Sequence, residues 1–178
     1  MSTFFENKMF YDEASSFYDE MIEFDKNLEK RKETFANIFE PNKLVADLGC
    51  GTGLDSVALA LNGNKVFAFD PSLKMIEVAK QNSFKFSVDI NFLQNTINNI
   101  SQEYHSKFNY VVSLGNTLAN VEGSVIYSTI QKIYDLLVNN GKALIHILNY
   151  HLILERQERI LSIKEKNNFW YIRFYDFV

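Results

Sequence analysis

Val45-Ala46-Asp47-Leu48-Gly49-Cys50-Gly51-Thr52-Gly53 is the stretch on which the reading of this chain turns. Leu44-Val45-Ala46 and Leu48 form a short apolar run with the length of a buried strand. Three glycines follow at alternate positions, and Leu54 to Leu61 then reads as a helix closed by Gly63. Glycine lets a backbone turn sharply and approach a ligand with no Cβ in the way. The helix start beyond the turn adds unpaired N–H groups. A dinucleotide fingerprint would need its third glycine at position 54, which is Leu, and no Lys-Ser/Thr pair follows to make a phosphate loop. The spacing therefore suits a nucleoside without a pyrophosphate and disfavours a nucleotide-dependent oxidoreductase.

Working outward, strands and helices alternate. Lys65 to Phe69 reads as a strand, and Ser72 caps a helix running to about Gln81. Ile90 to Leu93 is a weak strand and Tyr110 to Leu114 a stronger one. Ser124 to Val138 is helical, with Ile126, Ile130, Ile133 and Leu137 on one face and Gly141 closing it. Ala143 to Leu148 is the next strand. Such alternation predicts a doubly wound Rossmann-like α/β fold, a parallel sheet with helices on both faces. Before it, residues 12 to 39 read as one helix, with Phe17, Met21, Phe24, Leu28, Phe35 and Ile38 at helical spacing and Arg31 on the same stripe. After it, Tyr150 to about Arg159 is helical and Phe169 to Val178 alternates like a strand.

Asp70 closes the second strand, where a carboxylate can accept hydrogen bonds from both hydroxyls of a ribose. The bland alternative is that Asp70-Pro71-Ser72 is only a turn and a cap. Asp47 reads as a residue that orients the loop, and His146, inside an apolar strand, as a core histidine.

Composition narrows the class. The chain has 178 residues and a formal net charge of -4, so no broad basic surface for nucleic acid is expected. One cysteine excludes a disulfide framework and any multi-cysteine metal site, and no metal is expected. Cys50 has nothing nearby in sequence to make it a nucleophile. Met1-Ser2-Thr3-Phe4 does not open a secretory signal, and the longest apolar runs are too short to cross a bilayer. A cytoplasmic protein with no membrane partner is the expectation.

The glycine loop and the acid one strand later resemble those of the class I S-adenosylmethionine-dependent methyltransferases. More narrowly, Cys50 to Ser56, then Gly63, Val66, Asp70, Ser72, Lys74 and Met75, look like the glycine N-methyltransferase group. Leu114-Gly115-Asn116-Thr117 resembles that group's Leu-Gly-Asn-Ser segment, and Asn149-Tyr150 its Asn-Tyr-Asp segment. The resemblance implies S-adenosyl-L-methionine as cofactor, a domain over residues 1–148 with a helical cap at 1–40, and strand order 3-2-1-4-5. It places cofactor contacts at Gly49, Cys50, Gly51, Thr52 and Gly53 in the loop. Further contacts are implied at Asp70, Pro71 and Met75, at Thr96 and Ile97 after the third strand, and at Leu114 after the fourth. Tyr11, Tyr18 and Arg31 would reach in from the cap, and Asn116 would face a small-molecule acceptor, an amine in that group.

The chain departs from the pattern at three places. Thr96 stands where many members have an acid, Leu148 where the glycine enzymes have a carboxylate-binding Arg, and His151 where they have Asp. Glycine is accordingly expected to be a poor acceptor, and a weakly active or inactive cofactor-binding subunit is the alternative reading. Residues 149–178 match the start of a substrate arm, so the closing sixth and seventh strands are expected to be absent. The bare edge of the fifth strand would then call for a second copy or a second polypeptide.

Overall fold

The computed structural model describes residues 4–157, 159–166 and 169–174. Its centre is a five-stranded parallel sheet of β1 (Leu44–Leu48), β2 (Lys65–Asp70), β3 (Ile90–Gln94), β4 (Phe108–Ser113) and β5 (Leu137–Ile145). The strands lie in the order β3-β2-β1-β4-β5, the order that the resemblance implies. β1 is central because its side chains are apolar on both faces. Val45 and Leu48 are fully buried, Ala46 with them, which suits a strand covered above and below.

One face is covered by α3 (Phe24–Ile38), α4 (Leu54–Leu61) and α5 (Leu73–Lys85). α3 inserts Phe24, Leu28 and Phe35, spaced four and seven residues apart on one stripe. Fully burying one such side chain is worth about 1.5–3 kcal/mol. The other face is covered by α6 (Ile126–Leu136) and by the turns around Ile97, Ile100 and Tyr104. Phe67, Tyr104 and Phe108 meet there with ring centres about 6 Å apart.

The early helix is not one helix. It is divided into α1 (Phe4–Ala14), α2 (Tyr18–Met21) and α3. The Phe17 N–H turns back to the Ala14 carbonyl, and Glu23 takes a left-handed φ of 51° just before α3. The apolar stripe misleads because Phe17 and Ile38 are exposed while the buried set begins only at Phe24. α6 also ends sooner than its periodicity suggests. Gly141 lies within β5 rather than capping the helix, and Ile130 faces outward. β5 itself starts at Leu137, with a register irregularity between Phe108 and Tyr110 of β4.

The tail is a second correction. Past α7 (Tyr150–Arg156), two strands follow, β6 (Ile160–Lys166) and β7 (Phe169–Phe174); β7 begins where the tail strand was read, whereas β6, and with it a hairpin, was not expected. They pair antiparallel with each other as a separate sheet. Among the described residues, no strand pairs with the outer edge of β5. The expected helix to residue 159 ends at Arg156, and the part of the expected tail strand at 175–178 lies outside the described residues. The hairpin is held to the cap: Lys164 Nζ donates to Glu23 Oε2 at 2.8 Å, and Tyr171 Oη to Glu20 Oε2 at 2.7 Å.

Candidate functional site

A cavity of about 890 Å³ opens at the carboxyl ends of β1, β2, β4 and β5, beneath the cap. Its size is within the usual range for a small-molecule site, and its place is where open α/β sheets hold ligands.

The loop after β1 shapes one wall. Gly49, Gly51 and Gly53 all have positive φ. A Cβ on Gly49 would overlap the side chain of Thr117, so this residue must be glycine for the loop to lie against the segment after β4. A Cβ on Gly51 would meet only Tyr18 Cε1, 4.0 Å away, and would stand in the cavity. The Thr52 hydroxyl is buried with no hydrogen-bond partner among the described residues, an orphaned polar atom in the loop itself.

Asp70 ties that loop to the next helix. Its Oδ2 accepts from the Gly51 N–H and its Oδ1 from the Ser72 N–H, each at 2.9 Å. Each oxygen keeps a lone pair for a further donor. Burial raises the carboxyl above its ordinary range, and the two N–H groups act against that rise. Asp70 is thus a turn former that also lines the cavity. Ser72 Oγ in turn accepts from the Met75 N–H at 3.1 Å, capping α5, and its hydroxyl donates to Asp12 of α1.

Most of the sequence-nominated residues meet around this cavity. Gly49, Cys50, Gly51 and Thr52 line it from the loop, with Asp70 and Pro71 beside them. Thr96, Ile97 and Leu114 line the walls after β3 and β4, and Tyr11, Tyr18 and Arg31 come from the cap. Two do not reach it. Gly53 is buried at the start of α4, where an added Cβ would sit 3.2 Å from Ala79 Cβ, and Met75 is a core residue 1% exposed. Both shape the loop and helix from behind. The Cys50 thiol is buried and pushed well up, first by desolvation and then by the charge of Asp70.

Asn116 lines the cavity from the segment after β4, in a left-handed conformation. Its Nδ2 donates to Tyr150 Oη at 2.5 Å and its Oδ1 accepts from the Leu148 N–H at 3.1 Å. It thus joins the ends of β4 and β5 as well as facing the space between them. His151, by contrast, is exposed and does not line the cavity.

Sequence reasoning missed an ionic group behind the loop. Arg31 Nε lies 2.9 Å from Asp55 Oδ1, and that oxygen still lacks an aligned hydrogen-bond donor among the described residues. Burial raises the Asp55 carboxyl, while Arg31 and then His146 act to lower it. Asp47, beneath, accepts from Ser56 Oγ and is pushed up to about 8, first by burial and then by the charge of Asp55. His146 is a correction: it is exposed on the cavity wall, not in the core. The alternation of β5 was the available signal, since His146 shares a face with Leu144 and lies past the last paired residue. Lys164 also lines the cavity, from a strand the sequence reading had not recognised.

Residues 45–141, more than half the chain, match the family described as "Methyltransferase domain". The chain is 28% identical to a ribosomal protein L11 methyltransferase of Carboxydothermus hydrogenoformans, over 73% of this chain and 39% of that protein. It is 29% identical to a ubiquinone biosynthesis O-methyltransferase of Azotobacter vinelandii, over 60% of this chain and 53% of that one. It therefore spans about half the length, or less, of these relatives. In fold it matches an S-adenosylmethionine-dependent methyltransferase from Clostridium acetobutylicum with a TM-score of 0.71 at 17% identity, covering 93% of this chain and 70% of that one. With the glycine loop, Asp70 and the 3-2-1-4-5 sheet around one cavity, these likenesses show that the chain belongs to the class I S-adenosylmethionine-dependent methyltransferases, with S-adenosyl-L-methionine as cofactor.

Proposed function

We propose that this chain moves a methyl group from S-adenosylmethionine to a small, uncharged acceptor bearing an amine or a hydroxyl. The observation that carries this is one cavity lined by the glycine loop and Asp70 together with Asn116 and Leu148. A sulfonium supplies an already activated methyl group, so the protein's contribution is placement and exclusion of water. Asp70 would accept from the ribose hydroxyls through its remaining lone pairs. Gly49 and Gly51 leave room for the methionine part, and the unpaired Thr52 hydroxyl is a donor in reach of the loop. Thr96 and Ile97 would flank the adenine, while Arg31, already over the loop's helix, would face the carboxylate. Gly53 and Met75 would act only by holding the loop and α5 in place.

The narrower likeness to glycine N-methyltransferases does not extend to glycine as acceptor in this reading. The wall carries Leu148 where a bidentate guanidinium would be needed for a carboxylate. Calorimetry and thermal melting test the cofactor assignment. S-adenosylmethionine or S-adenosylhomocysteine should bind and stabilise the fold, by about 2.7 kcal/mol at a hundred times Kd. Asp70→Ala should weaken that effect. Binding of NAD with no binding of either nucleoside would overturn the assignment.

A further inference from the structure

We propose that Asn98, locked by Thr129 with its amide oxygen left free, is the residue that selects adenine over a 6-oxo base at the nucleoside end of the cofactor. This rests on the adenine placement proposed above, beside Thr96 and Ile97, and names what reads the base there.

The need for a reader comes from Thr96. Its side chain makes no capping bond to the turn that follows, and a hydroxyl can donate as well as accept. Such a group pairs as well with the 6-oxo group of hypoxanthine as with the 6-amino group of adenine. Telling the two apart requires an acceptor that cannot turn into a donor. Asn95 and Asn98 flank Thr96 and Ile97 in the chain, and both line the cavity. An amide is a dependable acceptor only where its hydrogen-bond network fixes which end it presents. No side-chain hydrogen bond fixes Asn95 among the described residues.

Asn98 is fixed by a count of donors. Thr129 is fully buried in α6, and its hydroxyl donates to the Val125 carbonyl, four residues earlier, at 2.9 Å. That uses its one hydrogen, so toward Asn98 its oxygen can only accept. Asn98 therefore turns its NH₂ to Thr129 Oγ1, at 2.9 Å. The flipped amide would set two acceptors against each other beside a buried hydroxyl. Asn98 Oδ1 is left with no donor among the described residues, on a side chain whose residue lines the cavity. The backbone beneath is held as well. Asn98 sits in the short helical turn Ile97–Asn99, where the Asn99 N–H returns to the Thr96 carbonyl at 3.1 Å. Ile97 and Ile100 anchor this turn in the same core cluster as Ile133 and Leu136 of α6. Reader and lock thus come from two elements packed on one face of the sheet.

The selectivity follows from the free oxygen. The 6-amino group of adenine offers two hydrogens, and an amide oxygen can take one. The 6-oxo group of hypoxanthine offers none and would face Asn98 Oδ1 as a second acceptor. Thr129 keeps the amide from turning over to meet it. Leaving such a pair unmade lowers affinity on the order of 10–100-fold.

The test is calorimetric titration of the full chain with S-adenosylhomocysteine and with its 6-oxo counterpart, S-inosylhomocysteine. The parent protein is expected to bind the adenine compound about 10–100-fold more tightly. Asn98→Ala should bring the two affinities together, chiefly by weakening the adenine compound. Asn98→Asp, whose carboxylate has acceptors only, should keep the preference. Thr129→Val should shrink it from the other side, because the released amide can turn and donate to the 6-oxo group. Asn95→Ala should leave the preference as it is. A merely structural role would weaken both compounds together and leave their ratio unmoved. Equal binding of the two compounds by the parent protein, or a preference retained in Asn98→Ala, would overturn the proposal. So would an equal loss for both compounds in Asn98→Ala and Thr129→Val. Failure of the parent protein to bind either compound would instead overturn the cofactor assignment, and this proposal with it.

Discussion

Gly49 and Gly51 lie two residues apart in one loop, with similar backbone conformations, yet alanine at the two should do different things. At Gly49 the φ of +78° is one cost, about 1–2 kcal/mol for a residue with a Cβ. The larger cost is contact. The new Cβ would overlap Thr117 Cγ2 and lie 2.6 Å from its Oγ1. Thr117 has little room to turn away, because its hydroxyl donates to the Leu114 carbonyl at 2.8 Å. Overpacking of this kind costs about 1–3 kcal/mol, so Gly49→Ala should lose roughly 2–5 kcal/mol in all. For a domain of this size that is a fall in Tm of roughly 4–20 °C. At Gly51 the Cβ meets only Tyr18, at ordinary contact distance, so the backbone term stands alone at about 1–2 kcal/mol. The methyl group would nonetheless project into the cavity, and the stabilisation by S-adenosylhomocysteine should disappear. Urea unfolding of both variants, with and without the nucleoside, separates the two effects. If Gly49→Ala is as stable as the parent, or Gly51→Ala keeps its full nucleoside-induced shift, the reading of this loop is wrong.

Three further outcomes are expected. Asp47 carries a carboxyl raised to about 8, so its contribution is fully present below about pH 4 and is lost as pH rises through 8; Asp47→Asn should match the parent near pH 4 and exceed it at pH 8 by on the order of 2–5 kcal/mol in urea titrations, and an equal difference at both pH values would contradict this. Glu23 is held down to about 2, first by Lys164 and then by Lys26, so the link between the hairpin and the cap is complete above about pH 4.5 and lost as pH falls through 2. Lys164→Met should raise hydrogen exchange in β6 and β7 at neutral pH and leave β1 unchanged; unaltered hairpin exchange would show that the pair does not hold it. The outer edge of β5, where Ile145 is exposed and no strand pairs among the described residues, should recruit a second copy at high concentration, and Ile145→Lys should prevent it. Sedimentation showing a monomer for the parent chain would count against that surface.

What could be read from the sequence was what depends on neighbours along the chain. The glycine loop, the acid after β2 and the alternation of strand with helix are set by local geometry and side-chain period, and they gave the parallel sheet with its helices and the loop that lines the cavity without reference to any distant residue, while the strand order came from the family resemblance those motifs carry. The tertiary structure decided what depends on which elements cover which face. Helical spacing from Phe17 to Ile38 could not show that Phe17 is exposed and that Glu23 breaks the path, because periodicity does not register where covering begins. Gly53 and Met75 carry the family's motif but stand behind the cavity wall rather than on it, since the packing of α4 against α5 settles their orientation. The Arg31–Asp55 contact joins residues 24 apart on two helices. His146 looked like core because its neighbours in sequence are apolar. It became a cavity residue because β5 runs out of partners one residue before it, and beyond that point the same face of the strand has no core left to enter.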